Sequence, residues 1–148
     1  MNKRINGRAI IIDNDEVILM YRNKLVNGEL KKYYAIPGGG QEENETIEEC
    51  VIREVKEELS LDVEIIRYLD KVEDERNIGY IYQVKIIGGE LKLGGEELEQ
   101  NNKDNYYEPR RIKLKDIDKI ELYKENKELI KRCIGWYYGK IYYLSGMW

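Results

Sequence analysis

Histidine is absent from this sequence of 148 residues. No imidazole can act as general base, nucleophile activator or metal ligand, so any hydrolytic chemistry falls to carboxylates, Lys, Tyr, Ser, Cys or a metal-bound water. Cysteine is scarce. Cys50 and Cys133 stand alone without CxxC spacing, and in a reducing compartment they read as small core residues rather than a disulfide or metal site. Long apolar runs are missing too: after Lys3-Arg4, the unbroken apolar stretch near the N-terminus is only residues 9–12. That is far short of a signal-peptide core or a spanning helix, so the expected location is the cytoplasm, away from any membrane. No block of Lys or Arg is long enough to follow a nucleic-acid backbone, and the formal charge of -4 attracts no polyanion. A nucleic-acid polymer is therefore not expected as a partner.

What is present is a globular balance, with 36% charged and 42% apolar residues. A chain of this length fits one core, and residues 1–148 are read as a single domain. Residues 8–12 and 17–22 are β-rich runs separated by the polar cluster Asp13-Asn14-Asp15-Glu16, which gives a hairpin. The polar stretch 23–32 carries an Asn27-Gly28 turn signal, and Tyr33-Tyr34-Ala35-Ile36 forms a short strand stopped by Pro37-Gly38-Gly39-Gly40. Thr46-Ile47-Glu48-Glu49 matches the T-x-x-E capping box and starts a helix that runs to about Leu59, with Asn44 as the other candidate cap. Residues 63–69 and 80–87 read as strands, the second turning at Gly88-Gly89 into another over 90–93. Residues 94–105 read as a polar, acidic, mobile loop, followed by a strand over 107–114 and a helix from about Tyr123 to Cys133. Strands on both sides of a central helix, with a second helix late, give an α/β chain whose economical form is a mixed sheet covered by helices.

The chemistry-bearing segment is residues 39–61, GGQEENETIEECVIREVKEELSL. At about 100° per residue, Ile47, Val51, Val55 and Leu59 make one apolar stripe, with Glu58 between Ile47 and Val51 and with Glu54 and Glu57 at its edge. Three acids at i, i+3 and i+4 repel one another by about 0.2–0.5 kcal/mol per pair, and partial burial adds to that. A hard divalent cation reverses the sign. The plain alternative is a solvated acidic face with Arg53 paired to Glu49 or Glu57, but the adjacent glycines weigh against it, because they let a backbone carbonyl approach a metal that takes only oxygen ligands.

Gly39, Glu45, Arg53, Glu54, Glu57 and Glu58 stand at the spacing G-x5-E-x7-R-E-U-x-E-E-x-G-U, with Val55 and Leu61 in the apolar places. Chance agreement is on the order of a few in 100,000 for a chain of this composition. The segment resembles the signature of the Nudix hydrolases, the family that includes the MutT-type pyrophosphohydrolases. One position departs: Ser60 stands where the family has glycine, at a cost of roughly 1 kcal/mol if the turn is left-handed. The resemblance implies a Nudix α/β/α sandwich with a mixed β-sheet. It implies Glu54, Glu57 and Glu58 as metal ligands, joined by the Gly38 carbonyl, with Arg53 orienting a glutamate and Glu45 and Gly39 as structural members of the motif. Glu54 is the choice for handling the proton of the attacking water. Family members often add a loop acid some forty residues on, where Glu96, Glu97 and Glu99 lie, and Glu97 is carried as the candidate.

The implied cofactor is Mg2+, with Mn2+ as substitute, and the implied partner is a small nucleotide-like substrate. The expected activity is hydrolysis of a phosphoanhydride bond in a nucleoside diphosphate linked to another moiety, or of a nucleoside triphosphate to monophosphate and pyrophosphate. The alternatives are a Nudix-fold nucleotide sensor of weak activity and an interaction protein. Arg22, Lys24, Lys31 and Lys32 could meet phosphates and Tyr21, Tyr33 or Tyr34 could stack on a base, without any contact being assigned. Family members specific for ADP-ribose often carry a proline about fifteen residues after the motif, and its absence here weighs weakly against ADP-ribose. The tail 135–148 holds Trp136, Tyr137, Tyr138, Tyr142, Tyr143 and Trp148, dense enough to need burial. It is expected to pack on its own domain, with a homodimer contact or a substrate lid as the other readings.

Overall fold

A strand covered on both faces has no reason to alternate apolar with polar residues, and Ala9-Ile10-Ile11-Ile12 does not. These residues lie in β1 (Arg4–Asp13), the middle strand of the sheet. The computed structural model describes residues 2–144, without the side chains of residue 96 and residues 135–144. The remaining strands are β2 (Glu16–Val26), β3 (Glu29–Ala35), β4 (Gly38–Gly40), β5 (Leu61–Glu73), β6 (Asn77–Gly89) and β7 (Asn105–Lys113). Their order is β3-β2-β1-β6-β5, with β4 also paired to β1 and β7 to β2. β1 and β6 run parallel, from Arg4 opposite Asn77 to Ile11 opposite Val84, while β2, β4 and the other pairs are antiparallel. The sheet is mixed, as expected.

Among the described residues three α-helices complete the fold: α1 (Ile47–Leu59), α2 (Gly95–Glu99) and α3 (Lys124–Leu144). On one face of the sheet Ala9, Ile11, Ile18 and Met20 pack with Val51, Val55 and Leu59 of α1. On the other, Ile10, Ile12, Val17 and Leu19 pack with Leu129, Ile130, Cys133 and Ile134 of α3. Alternate residues of the same strands thus serve two cores. This is the α/β/α sandwich that the resemblance implied, and both cysteines are free and buried within it.

α1 starts as its sequence dictates. The Glu49 N–H donates to Thr46 Oγ1 at 3.1 Å and the Thr46 N–H to Glu49 Oε1 at 2.9 Å, completing the capping box at Thr46 rather than at Asn44. It ends at Ser60, which takes the left-handed conformation (φ 62°) that the family's glycine would supply. The Ser60 Oγ donates to the Lys92 carbonyl at 3.3 Å, which offsets part of the strain.

Four expectations need correction. Residues 90–93 form no strand: β6 ends at Gly89, and the following segment instead caps α1, with Lys92 and Gly94 N–H groups donating to the Leu59 and Glu58 carbonyls, each at 3.0 Å. Residues 94–105 are not a featureless loop, since they contain α2. The polar stretch 23–32 is the outer part of β2 and β3, zipped by a two-residue turn at Asn27-Gly28 whose φ values of 51° and 82° suit a tight hairpin. Its Lys24, Leu25, Leu30 and Lys31 are exposed, so no buried face stamped a period on them. Leu114, expected in a strand, begins a 3-10 helix over Leu114–Lys119 that buries Leu114 and Ile117. The expectation for the packing of the aromatic tail falls on side chains outside the described residues. No helix among the described residues is long and apolar enough to cross a membrane.

Candidate active site

Two glycines of β4 sit in close quarters, Gly38 against β1 and Gly39 against α1. A Cβ on Gly38, whose φ is 153°, would collide with the Gly7 carbonyl oxygen and lie 2.7 Å from Arg8 Cα. A Cβ on Gly39 would lie 2.6 Å from Glu54 Cδ, in the space that the carboxylate uses. The contact that Gly38 makes with an acid is through its N–H, which donates to Glu58 Oε2 at 2.9 Å. Its expected part as a carbonyl ligand is a separate matter.

Arg53 ties the acids together. Its Nε and Nη2 donate to Glu45 Oε2 and Oε1 at 2.6 and 2.9 Å, a bidentate pair, and Nη2 also donates to the Gly40 carbonyl at 3.0 Å. Nη1 reaches Glu54 at 3.0 Å, Glu57 at 3.1 Å and Glu42 at 3.3 Å. The plain alternative of an Arg53 paired only to its helix neighbours is too small for this network. Hydrogen bonding from Arg53 holds the Glu45 carboxyl down at about 2. Burial pushes Glu54 up, Arg53 notwithstanding. It pushes Glu58, only 6% exposed, up to about 9, with repulsion from Glu97 and Glu54 adding and Arg8 and the Gly38 N–H opposing.

Two cavities lie beside this network. One of about 200 Å³ is lined by Glu42, Glu54, Glu57 and Glu97 together with Arg4 and Arg53. The other, of about 420 Å³, is lined by Arg4, Arg8, Tyr33 and Tyr34 among others, so Arg4 borders both. Glu97 reaches the acidic cavity because the Gly94 N–H anchors the start of α2 on the Glu58 carbonyl. Glu99 is exposed, and the Glu96 side chain lies outside the described residues. Among the described residues, no three Asp, Glu or Cys side chains are gathered tightly enough to hold a metal ion as they stand. Glu54 and Glu57 are turned to Arg53, and Glu58 to Gly38. The donor set nonetheless fits a hard divalent cation: every donor is an oxygen, four carboxylates face two guanidiniums, and Glu54 is held partly out of water.

Residues 3–133 match the family model of the NUDIX domain. The chain belongs to the Nudix family. Among Nudix relatives, it is 38% identical over 95 residues to the ADP-ribose pyrophosphatase of Methanocaldococcus jannaschii. That alignment takes in 60% of this chain and 55% of the relative, so the chain spans about half the relative's length. The fold is shared with a crystal structure of an ADP-ribose pyrophosphatase from Streptococcus suis, at a TM-score of 0.63 and 22% identity over 94% of this chain and 95% of the other. It is shared also with a UDP-X diphosphatase, at a TM-score of 0.63 and 18% identity over 94% and 64%.

Of the residues singled out in the sequence, Gly38, Gly39, Glu45, Arg53, Glu54, Glu57, Glu58 and Glu97 converge on this Nudix motif and its acidic cavity. Tyr33 and Tyr34 line the larger cavity, whereas Tyr21 and Arg22 are engaged in a neighbouring cluster, with the Arg22 guanidinium 3.7 Å from the Tyr107 ring centroid. Lys24, Lys31 and Lys32 sit on the exposed hairpin and line neither cavity. Glu42, Arg4 and Arg8 were not anticipated. For the arginines a signal existed: Arg4, Asn6 and Arg8 alternate at the edge of an apolar strand.

Proposed function

We propose that this Nudix chain is a Mg2+-dependent hydrolase, with Mn2+ able to substitute, that cleaves a phosphoanhydride bond in a nucleoside diphosphate linked to a second moiety. The observation that carries the reading is the junction of a small carboxylate-rich cavity with a larger one across a shared arginine, Arg4. A diphosphate has its charge at the first and its organic part in the second. Glu54, Glu57 and Glu58, with the Gly38 carbonyl, are assigned as ligands of the cation. A divalent cation held there would neutralise the diphosphate and lower the pKa of an attacking water.

The chain's own groups do the rest. Arg53 holds Glu54 and Glu57 in one orientation, and the bidentate Glu45 pair fixes Arg53 itself. Glu54 accepts the proton of the attacking water. Burial, which pushes its carboxyl up in the metal-free chain, sets it apart from an ordinary surface carboxylate. Glu97 is the second candidate, on a short helix that borders the same cavity. The reading of a weakly active sensor has no particular observation in its favour.

The missing proline weighed against ADP-ribose, but a relative 38% identical carries that substrate in its name, so ADP-ribose heads the substrate panel. The test is a screen of ADP-ribose, nucleotide sugars and nucleoside triphosphates, with released phosphate read after phosphatase or pyrophosphatase coupling. Turnover with Mg2+ or Mn2+ that disappears in EDTA is expected. Full turnover in chelator, or none on any diphosphate, overturns the reading.

A further inference from the structure

Alternate residues of a strand share one face, and β1 places Arg4, Asn6 and Arg8 along one wall of the cavity of about 420 Å³. The charge there is opposite to that of its neighbour. The acidic cavity sets four glutamates against two arginines, Arg4 and Arg53. The larger one sets Arg4 and Arg8 against a single carboxylate, Asp74, which already accepts the N–H groups of Arg76 at 2.8 Å and Asn77 at 2.7 Å. Asp74 closes the β5–β6 turn and has little left for an arginine.

The hydrogen bonds of the two guanidiniums are few. Arg8 Nη1 donates to the Ile36 carbonyl at 3.0 Å, and among the described residues Arg8 has no carboxylate within salt-bridge distance. Glu58, the acid whose charge acts on it most, is turned to Gly38. Arg4 passes over Gly40, where a Cβ would come within 2.8 Å of Nη2, and likewise has no ion pair among the described residues. A guanidinium carries five donors in a planar fork that matches phosphoryl and carboxylate oxygens, and a half-buried one left unmet is costly. Arg4 is exposed to water, but a neutral sugar or nucleoside would leave the half-buried Arg8 unanswered.

We propose that Arg4 and Arg8 make this cavity an anion subsite, which selects substrates whose moiety lodged there carries a phosphoryl or carboxylate group beyond the scissile diphosphate. The inference rests on the hydrolase reading and adds to it a substrate class. Arg8 binds the added anion and Arg4, bordering both cavities, steadies the phosphate between them.

Two substrate pairs test it, each differing by one anionic group: ADP-ribose against its 2′-phosphate, and UDP-glucose against UDP-glucuronate. Steady-state kinetics with Mg2+ are measured for the parent, Arg8→Gln and Arg4→Gln. The parent is expected to favour the charged member of at least one pair tenfold or more in kcat/KM, the pair telling phosphoryl from carboxylate. Both variants are expected to cut that ratio tenfold or more, mainly through KM. Arg4 lies at the exposed start of β1, so Arg4→Gln keeps the test decisive if Arg8→Gln does not fold. A parent without preference in either pair, or folded variants that keep the parental ratio, overturns the subsite. A parent that hydrolyses none of the four and no other diphosphate of the wider screen overturns the hydrolase reading instead.

Discussion

Glu45 shows how one residue outside the expected ligand set can decide whether the site exists. Its carboxylate, 12% exposed, binds Arg53 through both oxygens, and through Arg53 it fixes Glu54 and Glu57. Its folded-state pKa is depressed from the ordinary carboxylate value to about 2, chiefly by that hydrogen bond. The stabilisation is therefore complete above the ordinary carboxylate value and is lost as pH falls from about 4.5 to about 2. Glu45→Gln should melt at lower temperature than the parent at pH 7, by on the order of 2 kcal/mol after allowance for screening, and the gap should narrow as pH falls through that window. Thermal melts of both proteins from pH 7 to pH 2.5 check it. A gap that is constant with pH would mean that the Arg53 pair contributes nothing to stability. Hydrolysis should fall as well, because Arg53 loses its anchor.

At the scale of elements, the decisive arrangement is β4 against α1. Capping at Thr46, the apolar stripe of Val51, Val55 and Leu59, and the three acids beside it were all legible, because helix periodicity and capping are local. So was the abrupt stop at Pro37. Other elements were legible only after assembly. The outer halves of β2 and β3 are largely exposed, Leu25 and Leu30 included, and a hairpin tip that buries nothing carries no pattern. Residues 90–94 take their shape from the free carbonyls at the end of α1, a tertiary demand invisible in their own sequence. Glu42 joins Arg53 across a loop, and Arg8 gains meaning only from a cavity completed by strands and a helix distant in sequence.

In Gly39→Ala, the new methyl meets the far end of the Glu54 side chain, which can move, rather than backbone. The melting temperature should drop by only a few degrees, equivalent to about 1–2 kcal/mol, while activity falls at least tenfold through the displaced carboxylate. Activity equal to the parent's would show that the position of Glu54 against β4 is immaterial to the reaction.

For the molecule as a whole, β1 is the point on which everything bears. Its alternate residues supply both hydrophobic cores, its parallel pairing with β6 orders the sheet, and its first turn of sequence furnishes the arginines beside the acidic cavity. The fold thereby sets a region rich in negative charge, suited to a cation, next to one rich in positive charge, suited to an anion. Native-state binding stabilises by RT ln(1 + [L]/Kd), so a cation held by Glu54, Glu57 and Glu58 must appear in the stability of the whole chain. In the metal-free protein burial pushes Glu58 up to about 9 and pushes Glu54 up as well, so converting either to Gln should leave it about as stable as before, or slightly more so. The most direct test is a set of thermal melts with and without millimolar Mg2+ or Mn2+, paired with initial rates on the best substrate, for the parent and for Glu54→Gln, Glu57→Gln and Glu58→Gln. The parent should be stabilised by metal, Glu58→Gln much less, with its rate down about a hundredfold or more. If all three variants keep both the metal-induced shift and the parental rate, the acids are a solvated face and the chain is not a metal-dependent hydrolase.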